Sequence, residues 1–132
     1  MSIGLLIITH NKIGEALLIT ATNMLETCPL ACKTLEINNN SNPDELNQRA
    51  REFVEELDQG DGVLVLTDIY GSTPSNIAAS LLHRGKVNVV AGINLPMLVR
   101  VLNYANLSLD ELTFKAVTGG NDGIVHCIHG TL

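Results

Sequence analysis

The stretch IGLLIITH, residues Ile3–His10, decides the fold, because it is an apolar run that ends abruptly in a threonine and a histidine. Two further runs, Gly62–Leu66 and Val87–Ile93, are also apolar almost throughout instead of alternating. Runs of this kind are typical of strands covered on both faces, as in a parallel sheet. The segment Lys33–Ile37 (KTLEI) alternates more and predicts a strand nearer an edge.

Segments with helical character lie between and after these strands. An apolar stripe runs along the first segment, and Asn42 followed by Pro43 is typical of a capped helix start. Five helices are predicted, over residues 13–25, 42–60, 74–83, 95–105 and 108–120. A last strand is predicted over Gly123–Ile128.

This alternation of strands and helices predicts an α/β fold, a doubly wound and mainly parallel β-sheet with helices on both faces. The length of 132 residues and the apolar content of 45% suit a single domain over residues 1–132. Ligands of such sheets bind at the carboxyl ends of the strands, at the point where the strand order reverses. The functional residues are therefore expected at the strand ends.

Charge and hydropathy exclude several classes of function. A net charge of −6 without a basic stripe, together with 3% aromatic residues, argues against nucleic acid as a ligand. The longest apolar run, around Ile3–Ile8, is far short of the roughly 20 residues that cross a bilayer. The start of the sequence also has no basic n-region of a signal peptide, so we expect no membrane insertion and a cytoplasmic location.

The three cysteines, Cys28, Cys32 and Cys127, provide no disulfide framework and are predicted to be free structural thiols. The C-x-x-x-C spacing of the first two is interrupted by Pro29 and is neither a redox C-x-x-C nor a common zinc motif. The segment HCIH at residues 126–129 would direct its two histidines to opposite faces of a strand, so no metal site is predicted. His83 is interpreted as a surface residue near a helix end.

Polar residues follow three of the predicted strands, in the segments 9–11, 67–74 and 92–96. If the first and third strands are neighbours, His10 and Asp68 can meet, and the carboxylate would fix the imidazole tautomer and leave the other ring nitrogen as a nucleophile. The adjoining residues Gly71, Ser72 and Thr73 open a helix and could form a cradle for an oxyanion. Taken singly, His10 could be an ordinary loop residue, Asp68 a structural acid, and Ser72 or Thr73 a plain N-cap.

The sequence resembles the IIA component of the mannose-type branch of the bacterial phosphotransferase system. The resemblance rests on IGLLIITH at residues 3–10, VLVLTDIYGSTPSN at residues 63–76 and VVAGINLPML at residues 89–98. It covers the chain from Ile3 to about Ile128, with the three motifs in the same order and spacing.

The resemblance implies a cytoplasmic phosphocarrier that takes a phosphoryl group on His10 from the histidine phosphocarrier protein and passes it to a separate IIB partner. It also implies that Asp68 orients the imidazole for transfer at Nε2, and that Gly71, Ser72 and Thr73 hold the phosphoryl oxygens without a metal or organic cofactor. The family forms dimers in which a final strand crosses to the partner, which would give Gly123–Ile128 a role as a swapped antiparallel strand.

The chain departs from the family pattern at two positions. Asn11 stands where the family often has Gly, and Asn enters left-handed backbone conformations more readily than most residues. Ser72 replaces a second Gly of the turn and adds a hydroxyl donor.

The sequence leaves three alternatives to this carrier function. One is a regulatory phospho-switch of an incomplete phosphotransferase system, in which His10 phosphorylation changes the partner and no sugar is transported. A relay subunit of dihydroxyacetone kinase has a different turn after the third strand. A hydrolase with His10 as base lacks an evident nucleophile.

Overall fold

The computed structural model describes residues 2–130 of the chain. Within that range the elements, in chain order, are β1 (Gly4–His10), α1 (Ile13–Leu25), β2 (Cys32–Ile37), α2 (Pro43–Leu57), β3 (Val63–Thr67), α3 (Thr73–Ala79) with a 3₁₀ turn at Ser80–His83, β4 (Val87–Ala91), α4 (Leu95–Asn103) and α5 (Leu109–Asp122). Among these residues no helix combines the length and the hydropathy needed to cross a membrane.

The four strands form one parallel sheet in the order β2-β1-β3-β4. The strand β2 lies at an edge, as its alternating sequence predicts. The chain begins at β1, moves to β2 on one side, and then returns to the other side of β1 at β3. The strand order therefore reverses between β1 and β3, and their carboxyl ends flank the crevice where such folds bind ligands.

Both faces of the sheet are covered, which is why β1 and β3 are apolar without alternation. Leu5, Ile7, Leu64 and Leu66 belong to the core that the helices α1, α4 and α5 complete. The residues between them belong to a second core completed by α2 and α3, namely Leu6, Ile8, Val63 and Val65. The predicted doubly wound α/β fold is confirmed.

The strand β1 continues through Thr9 to His10 instead of ending at Ile8. The extension follows from pairing with β2, because His10 is in register with Ile37 and the Asn11 N–H donates to the Ile37 carbonyl at 2.8 Å. Thr9 is buried, and its Oγ1 accepts a hydrogen bond of 2.8 Å from the Gly14 N–H in the first turn of α1. The threonine that interrupts the apolar run therefore anchors the helix that follows.

Three helices end earlier than predicted, and the first of them, α2, ends at Leu57 instead of near Gly60. The helix α3 passes into the 3₁₀ turn at Ser80, whose hydroxyl donates to the Ile77 carbonyl at 2.6 Å, a local bond that competes with helical continuation. The helix α4 ends at Asn103, with Tyr104 as its C-cap.

The prediction that Gly119 and Gly120 terminate α5 is wrong. Both glycines are buried inside the helix, which ends at Asp122 with Gly123 as C-cap. A Cβ at Gly119 would lie 2.6 Å from the Cβ of Arg100, and one at Gly120 would lie 2.9 Å from the Met97 Cε. The glycines are there because α5 packs on α4 too closely for side chains at these positions.

The predicted strand over Gly123–Ile128 is not formed in this chain taken alone. Gly123 caps α5 close to Pro96, and residues 124–128 belong to no strand in the described part of the chain. The side chains of Ile124 and Val125 are 75% and 56% exposed. The apolar sequence predicted a strand here, but a strand also requires pairing with a neighbouring strand, which hydropathy alone does not determine.

Candidate functional site

The centre of the site is a histidine held by a carboxylate at the switch point of the sheet. His10 is the last residue of β1, and Asp68 directly follows β3. The His10 Nδ1 lies 2.9 Å from Asp68 Oδ2, and the His10 backbone N–H donates to the same oxygen at 2.9 Å. The predicted meeting of these two side chains across neighbouring strands is confirmed.

The charge state of Asp68 follows from its hydrogen bonds. Burial alone would raise the pKa of Asp68, but donation from the backbone and the ring of His10 and from the Ile69 N–H outweighs it, so the pKa lies below its usual value. The Ile69 N–H bonds the other oxygen, Oδ1, at 2.9 Å. The carboxyl group is therefore ionised near neutral pH and can only accept hydrogen bonds.

An ionised carboxylate at Nδ1 selects one imidazole tautomer. Since Asp68 can only accept, the proton of a neutral His10 ring resides on Nδ1, and Nε2 keeps its lone pair. The histidine side chain is 43% exposed, whereas that of Asp68 is 14% exposed. The arrangement thus leaves an unprotonated ring nitrogen on a partly exposed side chain that a more buried acid holds at the other nitrogen, a geometry that suits a nucleophile.

The turn that joins β3 to α3 contains the three residues predicted to hold oxyanions. Gly71 has a φ of +86°, and its N–H donates to Ser75 Oγ at 3.2 Å. The Ser72 hydroxyl donates to the Ile69 carbonyl at 2.6 Å and makes no cap to α3. The Gly71 amide is therefore bonded to α3 and the Ser72 hydroxyl within the turn, so either would have to exchange its partner to bind an anion.

The third of these residues, Thr73, shares a cleft with the histidine. The cleft has a volume of about 340 Å³ and is lined by His10, Asn11 and Thr73 together with residues of the loop before α2 and of that helix. This volume far exceeds the roughly 30 Å³ that a water molecule occupies. No lysine or arginine lines it, so backbone, hydroxyl and asparagine amide dipoles are available to stabilise an anion there.

Asn11 shapes the exit from β1. Its φ of 48° lies in the left-handed region, as expected for an asparagine that stands where the family often has glycine. This conformation turns the chain from β1 into α1 and leaves His10 at the end of the strand.

The third polar segment, residues 92–96, has a structural role in this chain. Asn94 caps α4 by accepting from the Met97 N–H at 2.8 Å, and its amide donates to the Gly120 carbonyl at 3.1 Å. It thereby ties the start of α4 to the end of α5. The contacts of this segment are explained without a ligand.

One buried polar group next to the site was not predicted from the sequence. Thr67 is fully buried directly before Asp68, and its Oγ1 has no hydrogen-bond partner among the described residues. No signal in the sequence distinguishes it from Thr9, which is equally buried but bonded to Gly14.

The remaining histidines and cysteines form no metal site within residues 2–130. His83 ends the 3₁₀ turn and is exposed, and His126 and His129 are exposed in the segment after α5. They lie apart from the cleft that contains His10.

Comparison with known proteins identifies the family. The family model described as the PTS system fructose IIA component (EIIA-man) matches residues 4–117. The chain is 32% identical over 127 residues to the PTS system mannose-specific EIIAB component of Escherichia coli K12, covering 94% of this chain and 39% of that protein. The chain thus spans about two fifths of the length of this relative.

Solved structures share the fold. The mannose/sorbose-specific IIA subunit of the phosphotransferase system from Enterococcus faecalis superposes with a TM-score of 0.87 at 22% identity, covering 100% of this chain and 99% of that one. The PTS IIA protein associated with the fucose utilization operon of Streptococcus pneumoniae has a TM-score of 0.78 at 28% identity, covering 93% and 91%.

The fold and the site define a parallel α/β domain with a carboxylate-held histidine at its switch point. The chain belongs to the mannose-type IIA component family of the phosphotransferase system.

Proposed function

We propose that the chain is a phosphoryl carrier of a mannose-type phosphotransferase system, with His10 as the phosphorylated residue. It would accept the group from the histidine phosphocarrier protein in the cytoplasm and pass it to a IIB component. The observation that carries the proposal is the 2.9 Å contact between His10 Nδ1 and Asp68 Oδ2 at the switch point of the sheet. Family membership supports it, because relatives are named for phosphotransferase systems.

Transfer proceeds in line between two imidazoles. The lone pair of His10 Nε2 attacks the phosphorus of the donor phosphohistidine, the new P–N bond forms, and the donor's P–N bond breaks with its electron pair returning to the donor ring. The proton on His10 Nδ1 stays in its hydrogen bond to Asp68, so the carboxylate stabilises the positive charge that develops on the ring. Delivery to the next partner reverses these steps. Such transfer depends on positioning and charge stabilisation more than on acid catalysis.

Gly71, Ser72 and Thr73 are proposed to hold the phosphoryl oxygens. The Ser72 hydroxyl can rotate from the Ile69 carbonyl toward an anion, since its present bond lies within the same turn. Thr73 lines the cleft beside His10 at the beginning of α3. Hydroxyl and backbone dipoles that exchange their present partners for the phosphoryl oxygens would stabilise the transferring group, so the proposed mechanism requires neither a metal ion nor an organic cofactor.

A second copy of the chain is proposed as a further partner. Ile124 and Val125 expose apolar side chains in the segment after α5, and β4 is an edge strand of the sheet. In a dimer, the free backbone groups of an edge strand can pair with such a segment of the second copy, and the pairing would also bury the apolar side chains of the segment. Deletion of residues 124–132 should then convert a dimer to a monomer in analytical ultracentrifugation, whereas an unchanged mass would contradict the swapped strand.

The test of phosphoryl transfer is incubation with phosphoenolpyruvate, enzyme I and the histidine phosphocarrier protein, followed by intact-mass measurement. We expect a gain of one phosphoryl group that is lost in acid. His10→Ala should abolish the gain, while the control His126→Ala, which changes an exposed histidine outside the cleft, should be labelled fully. Full labelling of His10→Ala would refute the assignment.

A further inference from the structure

Two cysteines predicted to be independent structural thiols lie side by side. Cys28 is in the loop after α1, and Cys32 is the first residue of β2. Their Sγ atoms are 3.5 Å apart, and each lies 3.3 Å from the Leu30 carbonyl oxygen. The loop thus turns around one carbonyl group and brings both sulfur atoms to the same point, although the spacing is not that of a C-x-x-C motif.

The two thiols differ in their environment. Leu30 between them is buried and anchors the loop in the core, while Cys28 is exposed and Cys32 is half-buried. Burial raises the pKa of Cys32 well above its usual range, and the neighbouring Cys28 raises it further. A thiolate is the reactive form of cysteine, so Cys28 is the thiol that reacts first with a reagent from solution.

We propose that Cys28 and Cys32 form a modification site, a dithiol that closes to an intramolecular disulfide by exchange with disulfides of the glutathione type. The geometry supports closure because the two sulfur atoms are already 3.5 Å apart, compared with about 2.05 Å in a disulfide bond. Exchange of this kind is compatible with a reducing compartment, where disulfides are transient and redox-sensing.

The exchange takes place in two steps. The Cys28 thiolate attacks one sulfur of oxidised glutathione, which forms a mixed disulfide and expels one glutathione thiolate. Cys32 then gives up its proton and attacks the Cys28 sulfur, which forms the Cys28–Cys32 bond and expels the second glutathione thiolate. The two cysteines lose two electrons and two protons, and one glutathione disulfide becomes two glutathione thiols.

The site lies at the opposite end of the sheet from His10. Cys32 is in register with Leu5 near the start of β1, and His10 is five residues further along that strand. At a rise of about 3.3 Å per residue, this separates the two sites by roughly 16 Å. Disulfide closure should therefore leave phosphate uptake at His10 unchanged, so either proposal can fail without the other.

The experiment uses the folded chain carrying Cys127→Ser, so that Cys28 and Cys32 are the remaining cysteines. After incubation with oxidised glutathione, intact mass under non-reducing conditions should show the loss of two hydrogen atoms and both thiols protected from alkylation. A dithiol reductant should restore the original mass and both thiols.

Two matched variants test the roles of the sulfurs. In the same background, the reaction of the Cys32→Ser variant should stop at the mixed disulfide, which leaves a stable glutathione adduct on Cys28. Cys28→Ser should react at least about tenfold more slowly, because the remaining thiol is shielded and weakly ionised. The proposal is overturned if the chain with both cysteines accumulates the glutathione adduct, or if both thiols remain open to alkylation.

Discussion

One carboxylate oxygen of Asp68 lies 2.9 Å from both the backbone nitrogen and the ring Nδ1 of His10. A single acid therefore fixes the end of β1 and the orientation of the imidazole together. Because β1 and β3 are adjacent and parallel, the residue after one strand reaches the last residue of the other.

Asp68→Asn should slow phosphoryl uptake by roughly 10- to 1,000-fold, in the range expected for loss of an orienting carboxylate. The neutral amide no longer stabilises the charge on the ring, and its NH₂ group can select the wrong tautomer. Rapid-quench kinetics with a phosphorylated donor protein measures the effect. Asp122→Asn, which changes an exposed acid paired with Arg100, serves as control and should keep the wild-type rate. Equal rates for the two variants would reduce Asp68 to a structural acid.

The contribution of Asp68 to stability should depend on pH. The pKa of Asp68 is lower in the folded chain than the value of about 3.9 for an unfolded aspartate. Its contribution is therefore fully present above the unfolded pKa and is lost as the pH falls through the folded pKa. Urea unfolding at several pH values should show the largest difference between wild type and Asp68→Asn above pH 5, shrinking in acid. A difference that grows in acid would contradict the direction of the shift.

Two buried threonines should respond oppositely to replacement by valine. Thr9→Val leaves the Gly14 N–H without its 2.8 Å acceptor, and should reduce the free energy of unfolding by about 1–3 kcal/mol. Thr67→Val removes a hydroxyl that has no partner among the described residues, and should be neutral or stabilising by up to about 1 kcal/mol. Denaturant unfolding of both variants provides the comparison. A similar loss in both would show that the Thr67 hydroxyl is satisfied by a group such as bound water.

Gly119→Ala should destabilise the chain by about 1–3 kcal/mol, although alanine favours helices, because the new methyl group meets the Cβ of Arg100 at 2.6 Å. The control Asn121→Ala lies on the same helix at an exposed position and should gain a few tenths of a kcal/mol from helix propensity. Thermal unfolding distinguishes the two. An increase in stability for Gly119→Ala would mean that α4 and α5 can separate at little cost.

Local sequence was sufficient for most of the fold. Apolar runs without alternation indicated buried parallel strands, and the helix starts at Asn42 and Ser108 carry side-chain caps in the structure. The pairing of His10 with Asp68 was predictable because sheet topology brings strand ends together. These features depend on short-range chemistry and on the small number of ways in which such elements pack.

Helix packing and loop geometry account for two features that the sequence pattern did not predict. The glycine pair in α5 predicts a helix end, since glycine commonly ends helices. In the structure, the close approach of Arg100 and Met97 explains why glycine stands at these two positions inside the helix. The adjacent sulfurs of Cys28 and Cys32 depend on the course of a loop around Leu30, which spacing alone does not reveal.

The amino-acid sequence by itself determined the four parallel strands, the starts of the five helices and the strand ends that carry polar residues, because hydrophobic periodicity and capping act within a few residues. Only the tertiary structure decided which oxygen meets Nδ1 of His10, which buried threonine is bonded, and where two helices approach too closely for a side chain. The first and the last of these outcomes depend on distances between residues remote in the chain, and such distances are set by the packing of the whole core.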